Sequence, residues 1–224
     1  MSPAKKSSQG KKTPAKKKTA TRTKKISPLP QHRVEVRLAG SGGQGLLLAG
    51  LVLAEAVGLY EGREVAMVQS YGPEARGGAS KAEVIISDQV IDYPHCTRVD
   101  LLLALTQQAV DTYSWDLNPQ AWVLVDADLV QHPPTSRAVG LPFTAAARDK
   151  LKKTMVANVV ALGAISELTG LVGRAALQKA LLKRVPPGTE SLNKRALNLG
   201  AKLARDHKKS QGTEMPQEFS AADL

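Results

Sequence analysis

The chain has 224 residues, of which 42% are hydrophobic, enough for one domain of ordinary size and a tail, or at most two small domains. Its single cysteine, Cys96, excludes an internal disulfide and cannot supply the thiolates of an iron–sulfur cluster. The formal net charge of +11 at pH 7 suggests nucleic acid as a partner. The absence of a signal-peptide pattern and of any apolar run near the ~20 residues of a membrane span predicts a cytoplasmic protein with no membrane partner.

The excess charge lies in the first 33 residues. This segment holds eleven Lys or Arg and no acidic residue, so residues 34–224 carry 20 basic against 20 acidic side chains. Its apolar area is too small to offset an ordering entropy of roughly 1–2 kcal/mol per residue, and we expect residues 1–33 to form a disordered basic tail. Two interpretations stay open: a weak, nonspecific contact with nucleic acid or an acidic partner, or a solubilising leader without a ligand.

The body of the chain begins with a predicted strand, a glycine-rich turn and an apolar helix. Residues 34–38 alternate apolar and charged side chains, and residues 46–58 are apolar on nearly every side, as in a helix packed on a sheet. The glycines between them follow the G-x-G-x-x-G spacing of a mononucleotide-binding βαβ unit, in which an anion faces the amides of the helix start. The candidate cofactor-binding residues of this turn are Gly40, Ser41, Gly42, Gly43, Gln44 and Gly45.

The residues at the end of the second strand and directly after the turn indicate which anion the turn could bind. An NAD site needs an acidic side chain at the end of the second strand, residues 64–68, but Gln69 and Ser70 stand there. A P-loop needs Lys-Ser or Lys-Thr after its last glycine, but Leu46 follows Gly45. The turn therefore binds another anion or packs closely against a neighbouring backbone, and both alternatives stay open.

Residues 71–78, YGPEARGG, are predicted to form a loop beside the turn. Three glycines and a proline in eight residues exclude regular structure. The planar guanidinium of Arg76 suits a phosphate or the carboxylate of a partner. The alternative is a solvated surface arginine.

The remaining pattern predicts a three-layer, Rossmann-like α/β domain with a mixed, mainly parallel sheet over residues 34–207, followed by a frayed C-terminal tail at 208–224. Residues 81–86 and 90–93 are predicted to pair as a hairpin, which is why the sheet is expected to be mixed. The other predicted elements are strands at 101–105 and 121–125, helices at 106–113, 148–169 and 174–185, and a last helix capped by Thr189.

Three further groups of residues carry weaker hypotheses. His95 and Cys96 are adjacent but rarely converge as base and nucleophile, so an inert, partly buried thiol is the preferred interpretation. Asp126 and Asp128 at a strand end suit turn hydrogen bonds better than a metal. Asn158 lies in an apolar helical pattern, and two hypotheses stay open for it. Its side chain could contact a ligand, or it could satisfy backbone groups at a buried turn.

Several segments together resemble the gamma subunit of 2-oxoacid:ferredoxin oxidoreductases, the pyruvate/ketoisovalerate oxidoreductase catalytic domain family. The resemblance covers about residues 34–205, and the YGPEARGG segment is most similar to the 2-oxoglutarate type. The basic tail is outside the family pattern. The segments that carry the resemblance are residues 40–45 (GSGGQG), 70–78 (SYGPEARGG), 87–88 (SD), 157–164 (ANVVALGA) and 192–193 (LN).

The resemblance implies a thiamine-diphosphate-dependent complex that converts a 2-oxoacid to acyl-CoA and CO2 and reduces ferredoxin. Thiamine diphosphate, Mg2+ and 4Fe-4S clusters would belong to alpha and beta thiamine-bearing subunits and a ferredoxin-like delta subunit, so that this chain alone binds no cofactor or metal, has no catalytic residue and is inactive. Coenzyme A phosphates become a candidate anion for the glycine turn and Arg76, with a subunit interface as the alternative. The other function class kept open is a Rossmann-like nucleotide-binding module tethered to nucleic acid by its basic arm.

Overall fold

The computed structural model describes Leu29, residues 32–71 and residues 78–211. Arg76 and the centre of its loop lie outside the described residues, as does most of both predicted tails. The boundaries of the predicted domain therefore remain predictions. At the N-terminal boundary, Leu29 is buried in the main hydrophobic core.

Six strands form one mixed sheet in the order β2-β3-β1-β4-β5-β6. Strand β3 runs antiparallel to β1 and β2, whereas β1, β4, β5 and β6 are parallel neighbours. The predicted mixed, mainly parallel sheet is thus confirmed. The strands are β1 (Arg33–Ser41), β2 (Glu64–Tyr71), β3 (Ala79–Ser87), β4 (Val99–Ala104), β5 (Leu117–Asp126) and β6 (Val139–Leu141).

The predicted hairpin between residues 81–86 and 90–93 is wrong. Residues 90–93 form no strand, and Val90 is 79% exposed. The antiparallel neighbour of β3 along the chain is instead the preceding strand, β2. As a result β3 lies between β1 and β2, and the expected βαβ unit is split by an antiparallel strand.

Helices cover both faces of the sheet, as expected for a three-layer domain. The predicted helix over 148–169 is wrong in one respect, because the chain breaks at Lys152, which has a left-handed φ of 58°, and then makes a short 3-10 turn at Thr154–Val156. Thr189 precedes the last helix, but its side chain makes no capping bond. The helices are α1 (Leu46–Tyr60), α2 (Gln107–Tyr113), α3 (Phe143–Leu151), α4 (Ala157–Thr169), α5 (Arg174–Arg184) and α6 (Glu190–Ser210).

The larger core lies between one face of the sheet and helices α1, α4, α5 and α6. Val36 and Leu38 of β1 point into it, and the apolar pattern of α1 is explained because the helix touches both the sheet and α5. The smaller core lies on the opposite face under α2, where Ala39 and Leu102 meet Val110. Parallel strands buried on both faces are typical of this architecture.

The α2 side of the sheet also buries a cluster of charges. The Arg37 guanidinium donates to Glu83 at 2.8 Å and to Asp116 at 2.8 Å, and its side chain is only 2% exposed. Burial alone would lower the pKa of Arg37, but hydrogen bonds and attraction to Asp116 and Glu83 outweigh burial and raise it. The Arg37 guanidinium is therefore a buried cation that is paired and hydrogen-bonded to two carboxylates.

Candidate functional site

The glycine turn connects the C-terminal end of β1 to the first residue of α1. Gly45 precedes the helix with φ 72°, and Gly43 has φ 88°. Both values lie in the left-handed region, where a side chain other than hydrogen is strained. The structure therefore places the predicted residues 40–45 together as one sharp strand-to-helix connection.

Hydrogen bonds inside the turn fix its shape. The Ser41 amide donates to Gln44 Oε1 at 2.8 Å, and the Gln44 amide donates to the Ser41 carbonyl at 3.3 Å. A Cβ at Gly40 would lie 2.3 Å from the same Gln44 oxygen, so a side chain there would displace the Gln44 amide from its hydrogen bond to Ser41. The Gly42 amide donates to the Gly78 carbonyl at 3.2 Å, which ties the turn to the end of the 71–78 loop.

The start of α1 leaves amides available for an anion. Within the described residues, the amides of Gly45, Leu46, Leu47 and Leu48 donate to no other group. Four such orphan donors are usual at a helix N-terminus, and together they carry roughly half a unit of positive charge. Among residues 32–71 and 78–211, no atom lies within 4 Å of a Cβ added at Gly43, so the described chain leaves space beside the turn. The turn has the geometry of an anion-binding helix end.

Asn158 reaches this turn from α4. Its Nδ2 donates to the Gly45 carbonyl at 2.8 Å, and its Oδ1 accepts the Val159 amide at 2.9 Å. The side chain is buried. Of the two hypotheses for Asn158, the structure shows contact with backbone groups at a buried turn. The signal in the sequence was a lone amide in an apolar helix, which did not indicate the turn it would meet.

The loop that carries Arg76 lies outside the described residues, so the structure does not place this side chain. Lys81 was not singled out in the sequence, although it stands opposite Ala39 in the sheet, one residue from the turn. Its Nζ donates to Glu83 at 2.7 Å and lies 5.5 Å from the centre of the Tyr113 ring. Lys81 is therefore part of the charge cluster around Arg37.

The structure also places two of the weaker candidates, Asp126 and Cys96. Asp126 is fully buried, and its carboxylate accepts the amides of Asp128 at 3.1 Å and Thr144 at 2.8 Å, so the expected turn hydrogen bonds are present. Cys96 is partly buried beside the smaller core. Burial, with the nearby Glu83 and Glu35 carboxylates, raises the pKa of its thiol from 9.0 to about 12.

Native Cys96 is expected to resist alkylation. At pH 8 a thiol with a pKa of about 12 is ionised about a thousandfold less than one with a pKa of 9.0, and the thiolate is the reacting species. The rate with iodoacetamide should therefore rise by about three orders of magnitude when urea unfolds the chain, measured by mass spectrometry. Comparable rates in the folded and unfolded protein would contradict an inert thiol.

The chain's own residues do not fit an iron–sulfur cluster, because the sequence contains one cysteine. Over residues 32–71 and 78–211, no group of three or more His, Cys, Asp or Glu side chains is placed to hold a metal ion. No helix of the described chain combines the length and apolar character that crossing a membrane requires.

The fold and the site define a Rossmann-like α/β domain with a glycine-rich turn at the C-terminal end of β1, in the parallel part of the sheet. Residues 35–203 match the pyruvate ferredoxin/flavodoxin oxidoreductase family, and the chain belongs to that family. The predicted family resemblance over residues 34–205 is thereby confirmed.

Individual relatives agree with this assignment. The chain is 46% identical over 178 residues to the 2-oxoglutarate synthase subunit KorC of Methanocaldococcus jannaschii, covering 78% of this chain and 95% of that one. The keto/oxoacid ferredoxin oxidoreductase gamma subunit of Geobacter sulfurreducens PCA superposes with a TM-score of 0.71 at 46% identity, covering 78% of this chain and 97% of that one. The prediction of an oxoacid:ferredoxin oxidoreductase subunit is confirmed, and these relatives do not support a nucleic-acid-tethered module.

The same fold occurs in a longer chain. The 2-oxoglutarate:ferredoxin oxidoreductase of Magnetococcus marinus, solved with 2-oxoglutarate, coenzyme A and succinyl-CoA bound, superposes with a TM-score of 0.71 at 24% identity. The match covers 79% of this chain and 32% of that chain. The same fold therefore also occurs as about a third of a larger polypeptide.

Proposed function

We propose that this chain is the gamma subunit of a 2-oxoglutarate:ferredoxin oxidoreductase, which forms acyl-CoA, CO2 and reduced ferredoxin. The observation that supports this most is the 46% identity to a 2-oxoglutarate synthase subunit over 95% of that subunit's length. The subunit holds no redox centre, because its single cysteine does not fit a cluster.

The complex would work in the cytoplasm and divide its chemistry among its subunits. Thiamine diphosphate and Mg2+ would be held by alpha and beta subunits, and 4Fe-4S clusters by a ferredoxin-like delta subunit. When bound there, these groups supply the decarboxylation and the transfer of two electrons to ferredoxin. The role of this chain is then to complete the assembly and to bind a substrate group.

The glycine turn and Arg76 would bind a phosphate of coenzyme A. In support, the turn fixes its own shape by internal hydrogen bonds and leaves four helix amides without a described partner. Arg76, five residues after Tyr71 and two before Gly78, would add a planar cation to the same anion. The competing proposal is that both segments contact a partner subunit.

A negative charge introduced at position 43 distinguishes binding of coenzyme A from contact with a partner subunit. The position is open to an added side chain and has φ 88°, and Asn and Asp are the side chains that tolerate positive φ best. In the assembled complex, Gly43→Asp is expected to raise the KM for coenzyme A by about tenfold or more relative to Gly43→Asn, because a carboxylate repels the phosphate. The KM for the 2-oxoacid should be unchanged.

The two variants have nearly the same shape and differ in one charge, so strain in the turn affects both equally. If coenzyme A binds there, size-exclusion chromatography should show normal assembly for both. Weakened assembly of Gly43→Asp with an unchanged KM would support the subunit interface instead. Equal KM values in two fully assembled variants would refute the phosphate site.

A further inference from the structure

We propose that Asn158 is a positioning residue for the glycine turn, which aims the first amides of α1 at the bound phosphate. The inference rests on the function proposed above for that turn. Asn158 belongs to α4 and is separated from Gly45 by 113 residues in the chain, yet its Nδ2 lies 2.8 Å from the Gly45 carbonyl oxygen. The only other described side chain from outside the turn that bonds its backbone is Ser80, whose Oγ lies 3.4 Å from the Gly40 carbonyl.

The geometry of the peptide bond connects this contact to the ligand side of the turn. The carbonyl of Gly45 and the amide N–H of Leu46 belong to one planar, trans unit and point in opposite directions. The Gly45 carbonyl accepts the Ala49 amide at 3.0 Å as the first hydrogen bond of α1, and Asn158 adds a second donor at 2.8 Å. The second donor holds the peptide unit in the orientation in which the Leu46 amide points out of the helix start. The same hydrogen bond polarises the peptide unit and strengthens that amide as a donor.

The amide of Asn158 has a defined orientation. Its Oδ1 accepts the Val159 amide at 2.9 Å, so the Nδ2 end faces Gly45. Only 3% of the residue is exposed, so its amide is packed by protein on nearly all sides. A Cβ at position 45 would lie 2.5 Å from Nδ2, so a side chain there would push the Asn158 amide away from the turn. Asn158 thus lies beneath the turn and acts through the backbone, not on the ligand.

The test replaces Asn158 by Asp in the assembled complex. The side chains have the same shape, but at neutral pH the carboxylate cannot donate and repels the Gly45 carbonyl. The KM for coenzyme A is expected to rise about tenfold or more, while the KM for the 2-oxoacid stays the same. Burial beside a carbonyl raises the pKa of a carboxyl, so lowering the pH should protonate it, restore a donor and bring the KM back towards the wild-type value at that pH.

A matched control is available in α6. Asn193 is also buried, and its Nδ2 donates to the Thr189 carbonyl at 2.9 Å, far along the chain from the turn. Asn193→Asp loses the same kind of bond and is expected to lower stability without a selective effect on coenzyme A. If Asn158→Asp fails to assemble, Asn158→Ala, which removes the donor without adding charge, is expected to raise the KM for coenzyme A with no recovery at low pH.

The outcomes separate the inference from the function on which it rests. If Gly43→Asp raises the KM for coenzyme A but the Asn158 variants do not, the positioning role is wrong and the phosphate site stands. If Asn158→Asp alters both KM values equally, the residue is merely structural. The same conclusion follows if the KM for coenzyme A rises but does not recover at low pH. If neither position affects coenzyme A, the phosphate site itself fails.

Discussion

Replacing Gly200 by Ala is expected to lower the free energy of unfolding by about 3 kcal/mol. Helices α4 and α6 cross so closely that a Cβ at Gly200 would lie 1.8 Å from the Val160 carbonyl oxygen, and one at Gly163 would lie 2.1 Å from the Leu197 carbonyl oxygen. Backbone atoms cannot rotate out of the way, so the helices must separate and lose packing along their length. Urea unfolding of the purified chain, followed by circular dichroism, measures the change.

Gly58→Ala in α1 is the matched control. A Cβ there would have its nearest neighbour at 3.7 Å, an ordinary van der Waals distance. Because Ala is favoured over Gly inside a helix by roughly 0.8–1.0 kcal/mol, this variant should be as stable as the wild type or more stable. A loss of stability in Gly58→Ala similar to that in Gly200→Ala would show that the close crossing of α4 and α6 is not the cause.

Replacing Arg37 by Met is expected to cost about 3–5 kcal/mol, because it leaves two buried carboxylates without their cation. Glu83 and Asp116 accept its hydrogen bonds, and their side chains are 5% and 6% exposed. Lys81 would remain beside Glu83 but makes no described contact with Asp116. Thermal and urea unfolding measure the loss.

The exposed pair Arg148–Asp149 provides the comparison for Arg37. Its two side chains are 62% and 59% exposed, so solvent already screens their attraction. Arg148→Met is therefore expected to leave the unfolding midpoint unchanged. A midpoint for Arg37→Met equal to that of Arg148→Met would contradict a structural role for the buried cluster.

The strand–turn–helix segment and its candidate site could be predicted because short-range chemistry dictates them. The spacing of Gly40, Gly42 and Gly45 between an alternating strand and an apolar helix permits few other backbones. The structure shows that Gly45 adopts the left-handed conformation and that Gly40 makes room for the Gln44 side chain. The same local pattern also predicted that the first backbone amides of α1 would have no partner within the helix.

Strand pairing and the helix break were not predictable in the same way. Residues 90–93 have the β-branched and aromatic side chains of a strand, but their predicted partner, β3, already pairs with β1 on one side and β2 on the other. Strand propensity describes a fit to a half-buried surface, which depends on neighbours elsewhere in the chain. Likewise, nothing in the sequence around Lys152 marks a left-handed residue, and packing of α3 and α4 decides it.

The sequence by itself determined the α/β class, the glycine turn and the family resemblance, since each rests on short segments whose patterns can be recognised without knowing how the segments pack together. Only the tertiary structure decided that Arg37, on the alternating strand, faces a dry cluster under α2 and not solvent. It alone brought Asn158 beneath Gly45. Both outcomes depend on contacts between segments that are distant in the chain. The free energy of these contacts comes from burying polar groups and pairing them with partners, and a local sequence pattern does not show which distant groups become partners.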